Sequence, residues 1–87
     1  MAGAEASGLL EELAELAEKA GLTVRRAAMG GDGGALARVR GQWVMFIDVQ
    51  AEPAEQIVTL AEQLAPLIDI DTHYLSPALR QLMGAEQ

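Results

Sequence analysis

Asp69, Asp71 and His73 are the residues whose types and spacing come nearest to a reactive set. They alternate. In an extended segment alternate side chains point the same way, so the trio would offer two carboxylates and an imidazole to one metal ion. This is the basis of a metal-assisted, degenerate hydrolase reading. His73 is the only histidine, however, and a catalytic zinc normally draws two or three strong ligands from fixed elements. The plainer reading is a solvated acidic connection, and no metal and no other cofactor is expected. Nucleophilic catalysis lacks raw material. The chain has no cysteine, which removes thiolate nucleophiles, iron–sulfur clusters and disulfides. Ser7 and Ser76 stand where helix caps belong. The Glu residues of the helices are expected on solvated faces.

The basic residues are unevenly placed. Arg25, Arg26, Arg38 and Arg40 fall between residues 22 and 49, against Asp32 and Asp48, in a chain of net charge −7. Arg38 and Arg40 are two apart and share a strand face. Their guanidinium forks suit a carboxylate, a phosphate or an acidic peptide, which gives a second reading, an anion-binding regulatory domain. The simpler alternative lays their stems along the sheet. The run Gly30-Gly31-Asp32-Gly33-Gly34 resembles a phosphate loop only in composition. It lacks the GK[ST] of a Walker loop, and a strand rather than a helix follows it.

These residues must be positioned by an α+β fold in the order α-β-β-β-α-(β)-α. Leu9, Leu13, Leu16 and Ala20, widened by Leu10 and Ala17, predict an amphipathic helix over 8–20, with Gly21 as its left-handed stop. Residues 22–28, 35–40 and 43–49 read as strands. Gly41-Gln42 reads as a two-residue turn with Gly first. The expectation is a three-stranded antiparallel meander with the two main helices on one face. Ile57, Leu60, Ala61 and Leu64 make the stripe of a helix over 53–67, opened by Pro53. Residues 68–75 form a loop or a short fourth strand. Ser76-Pro77 starts a short terminal helix that Gly84 closes. A single domain over 8–84 with flexible ends, 1–7 and 85–87, accounts for the chain.

Within this order, the stretch from Arg38 to Leu67 resembles the minimal scaffold of HExxH zinc peptidases, the zincins. A strand, Trp43–Val49, leads through a short loop into a helix containing Thr59-Leu60-Ala61 and Leu64. The resemblance implies that scaffold with a dead metal site. Glu62 stands at the first zinc histidine, Gln63 at the general-base glutamate and Pro66 at the second histidine, so both helix ligands and the base are missing.

Composition narrows function further. The acidic balance, with a pI near 4.4, disfavours nucleic acid and anionic membrane as partners. No segment has the basic start and apolar run of a signal peptide, so the cytoplasm is the expected compartment. Strand 43–49 is apolar on both faces: Trp43, Met45, Ile47 and Val49 on one, Val44 and Phe46 on the other. A sheet with helices on one side should be polar outside. The leading expectation is therefore a small non-enzymatic interaction module, homodimeric through the sheet. Leu36, Val44 and Phe46 would form its patch and Arg38 and Arg40 its rim.

Overall fold

Apolar stripes on two helices and one strand apolar on both faces dictate a two-layer arrangement. The computed structural model describes residues 3–84. Helix α1, Gly3–Lys19, buries Ala6, Leu9, Leu10, Leu13, Leu16 and Ala17. It begins a turn earlier than the leucine periodicity suggests. Ala6 carries the stripe backwards and is fully buried, so residues 3–7 are helical and Ser7 is an exposed residue inside the helix, not its cap. Residues 85–87 lie outside the described part. Strands β1 (Thr23–Ala27), β2 (Ala35–Val39) and β3 (Gln42–Asp48) follow, then helices α2 (Pro53–Leu64) and α3 (Pro77–Leu82). Two 3₁₀ turns, Ala65–Leu67 and Ile70–Thr72, stand between the last two helices in place of a fourth strand.

The sheet is mixed, not an antiparallel meander. Its order is β1-β3-β2, with β3 parallel to β1 and antiparallel to β2. The reason lies in side-chain chemistry. The central place flanks a strand on both sides and shields it most from water, and β3 is the most apolar of the three; β1, carrying Arg25 and Arg26, takes an edge, where charge is tolerated and discourages stray pairing. The loop 28–34 makes this possible. Leading from one edge strand to the other means crossing two strand spacings, about 10 Å, which a tight hairpin turn cannot do.

The β2–β3 turn is also displaced by one residue. Val39 pairs with Gln42, so Arg40-Gly41 is the two-residue loop. Both residues have positive φ, 55° and 81°, the signature of a type I′ rather than a type II′ turn.

Met45 and Ile47 of β3 face the helices and join Leu13, Leu16, Ile57, Leu60 and Leu64 in the core. The two 3₁₀ turns and α3 complete that layer. Leu75, Leu79 and Met83 are buried in the same cluster, with Ile68 and Ile70 against it. Segment 68–83 therefore closes the helical side and leaves the opposite face of the sheet uncovered. Ser76 caps α3 by accepting the Leu79 N–H. It is held in turn by Glu12 of α1, whose carboxylate accepts the Ser76 N–H at 2.8 Å and its hydroxyl at 2.7 Å. Glu12 is thus half-buried and engaged, unlike the solvated glutamate expected there.

Among the described glycines, Gly34 is the one pressed against neighbouring backbone. A Cβ at this position would overlap the Phe46 carbonyl group and press on the Gln56 side chain at 3.1 Å. Gly34→Ala should cost about 3 kcal/mol or more, because the obstacle is central-strand backbone that cannot rotate away. Gly8→Ala, in α1 with open space around it, should instead stabilise by roughly 0.5–1 kcal/mol. Urea unfolding of both variants checks the contrast; equal midpoints would refute it.

Candidate functional site: the open face of the sheet

Even-numbered residues of β3 and odd-numbered residues of β1 and β2 point away from the helices. Thr23 and Arg25 stand beside Val44 and Phe46, and Ala35, Ala37 and Val39 flank them on the other side. Of these, Thr23, Arg25, Val39, Val44 and Phe46 line a shallow groove of about 580 Å³, together with Arg40 and Gln42. Val44 forms its floor and is only 5% exposed, Phe46 is half-buried, and Val39 stands 44% exposed on the wall. The groove is apolar at the centre and cationic at its margins.

Two residues assigned to this patch from the sequence belong elsewhere. Leu36 pairs with Met45 and packs against the core, and Arg38 pairs with Trp43. The cause is parity: a two-residue loop pairs even positions of β2 with odd positions of β3, and Met45 faces the helices. Arg38 places its guanidinium carbon 5.7 Å from the Trp43 ring centroid and donates to the Gly41 carbonyl. Arg38 and Arg40 therefore do not form a shared platform. Val44, Phe46 and Arg40 remain at the open face, and Arg25 and Val39 join them.

The metal trio does not assemble. The 3₁₀ turn Ile70–Thr72 breaks the alternation it requires. Asp69 caps that turn by accepting the Asp71 N–H, Asp71 faces Arg80 at 3.5 Å, and His73 lies beside α1 near Glu15 and Lys19. No group of three or more potential metal ligands occurs among the described residues. At the positions where zincins carry ligands and base, Glu62 is exposed, Pro66 lies in a 3₁₀ turn, and Gln63 accepts the Leu36 N–H at 2.9 Å through its side-chain oxygen.

Above the groove, the β1–β2 loop closes on Asp48, the last residue of β3. Its carboxylate is fully buried. One oxygen accepts the N–H groups of Met29 and Gln50, and the other accepts that of Gly33. Gly33 reaches it with φ at 96°, a conformation natural to glycine. The side-chain oxygen of Gln50 takes the Gly30 N–H. Gln56 of α2 completes the clasp like a neighbouring strand. It accepts the Asp48 N–H at 3.0 Å and donates to the Asp48 carbonyl at 2.8 Å. Burial pushes the Asp48 carboxyl up, but N–H donors from Gln50, Gly33, Met29 and Gly31 outweigh it and hold the group below the ordinary aspartate range. Neither Asp48 nor Gln56 stood out in the sequence. The available signals were an acid ending the most apolar strand and an amide inside the α2 stripe.

Comparison of the chain with protein-family models, curated proteins and solved structures gives no match. No helix among the described residues is long and apolar enough to cross a membrane.

Two outcomes follow from this geometry. With its folded pKa depressed, Asp48 stabilises the fold fully above its unfolded value of about 3.9, and the contribution is lost as pH falls through the lower folded value. Asp48→Asn presents an amide NH₂ to backbone donors. It should melt below wild type at pH 7, and the gap should narrow on acidification below about pH 4. Parallel melting profiles would contradict the assignment. Arg40 is the only non-glycine residue with positive φ among those described. Arg40→Asn, suited to this turn, should gain up to about 1 kcal/mol in urea unfolding.

Proposed function

We propose that the protein is a small non-enzymatic interaction module whose working surface is the open face of the sheet. The observation that carries this reading is the groove on the side of the central strand where no helix packs. Val44 and Phe46 form the floor of a groove on the side away from the helices, where a one-sided sheet would ordinarily present polar residues. The Cα trace measures 36 × 35 × 16 Å, a thickness filled by one helical and one sheet layer.

The occupant is constrained by charge. Arg25 and Arg40 line the groove, and no carboxylate does. A face-to-face pair of identical copies would bring four guanidiniums together without a compensating acid. The geometry therefore favours a polypeptide of different composition over the two-fold homodimer that the sequence suggests.

Site-specific photo-crosslinking tests the reading. A benzoylphenylalanine at position 39 or 46 is compared with one at position 58, in the cells that produce the protein. Val39 and Val58 are matched in exposure, 44% and 40%, but Val58 lies on α2. Adducts should form from positions 39 and 46 in clear excess over position 58. Equal yields from the two layers would sink the proposal, and an adduct of twice the chain's mass from the open face would identify a second copy.

A further inference from the structure

The open face has a composition opposite to that of the molecule. The chain carries 13 acidic against six basic residues, yet the lining of the groove has two arginines and no acid. The other arginines are engaged within the chain. Arg26 pairs with Glu11 at 2.8 Å, Arg80 with Asp71 at 3.5 Å, and Arg38 lies over Trp43. Among the described residues, Arg25 and Arg40 have no carboxylate within ion-pair distance. Arg40 moreover occupies a left-handed position where asparagine or glycine is the favoured residue, with φ at 55°. A backbone cost borne by a charged residue at a groove margin points to a use for its side chain.

The sheet register sets the scale of the ligand. Arg25 stands level with Phe46, and Arg40 follows Val39, which pairs with Gln42. The two are offset along β3 by four to five residue steps and across the sheet by one to two strand spacings, which together make ~17 Å, about five residues of extended chain. Between them lie Val44 and Phe46. Guanidinium forks match carboxylates with two parallel hydrogen bonds, and an apolar floor excludes water from a side chain seated on it.

We infer that the open face takes an extended acidic peptide. Two carboxylates about five residues apart meet Arg25 and Arg40, and an apolar side chain between them sits on Val44 and Phe46. This deepens the interaction-module reading and rests on it. A second copy docked face to face does not fit the description, because the groove it would present is lined by no acid.

The test is selection of short random peptides displayed on phage against the immobilised full chain. Fluorescence anisotropy with the selected peptides then measures their binding in solution. Selected sequences should be enriched in Asp or Glu at a spacing near five with an apolar residue between. Their binding should weaken about tenfold with Arg25→Gln and with Arg40→Asn, and several-fold when salt is raised from about 0.05 M to about 0.5 M. Arg40→Asn suits the turn, so its loss of binding is separable from unfolding, and far-UV circular dichroism verifies both variants. Peptides without acidic enrichment, binding indifferent to both substitutions, or no enrichment over background would each overturn the inference. So would a wild-type dimer in sedimentation that Phe46→Glu dissociates. Open-face crosslinks to a partner combined with any of these results would preserve the interaction module and reject the acidic peptide.

Discussion

One buried carboxylate organises the end of the sheet at which β1 and β3 finish. Asp48 accepts main-chain N–H groups from both sides of the β1–β2 loop and from the residue that begins the turn into α2. A loop drawn over a strand end loses water from its amides, and unsatisfied buried donors are costly. The carboxylate supplies acceptors where the sheet offers no further strand. Gln56 does the same for the Asp48 main chain and ties it to α2. Strand order, loop path and helix placement thus meet at one residue. No buried side-chain nitrogen or oxygen among the described residues lacks a partner.

From this junction follows the asymmetry of the molecule. The loop can cross only if it stays close to β3, and Gly34 permits that contact because it has no side chain. The crossing places β3 between the two edges. Its odd residues then face the helices, and its even residues face the side on which no helix packs. The helical side is closed by the two 3₁₀ turns and α3, held to α1 through Glu12 and Ser76. The other side has a small apolar floor and two arginines. This face offers a shallow apolar surface with charge at its margins, and the proposed recognition role rests on that arrangement.

Much of the local structure was legible because its causes are local. The leucine period of α1, the Pro53 start of α2, the Ser76-Pro77 entry into α3 and the three strand segments all arise from neighbouring residues. Part of the site was legible too. Val44 and Phe46 lie on the face opposite Met45, as alternation requires, whereas Arg40 reaches the groove from the β2–β3 turn. Leu36 and Arg38 could have been placed correctly from the same sequence, since a two-residue turn fixes the parity of pairing. The left-handed Arg40 was harder to foresee, because an Arg in that position runs against turn preference. Asp69, Asp71 and His73 failed as a set because the segment folds into a 3₁₀ turn, and spacing carries meaning only once the backbone conformation is known.

The sequence by itself determined the fold class, the element boundaries to within a few residues, the apolar stripes and the two-faced character of β3. Tertiary structure alone decided that β3 inserts between β1 and β2, that Asp48 is buried beneath the glycine loop, and that Arg25 of β1 joins Arg40 at the groove. The division has a physical basis. Helix and strand formation depend on side-chain periods within a few residues of each other. Strand order depends on which strand loses the most apolar exposure at the centre, a comparison across the whole chain. A buried carboxylate becomes favourable only after folding has brought donors from residues 29, 33 and 50 to the same point.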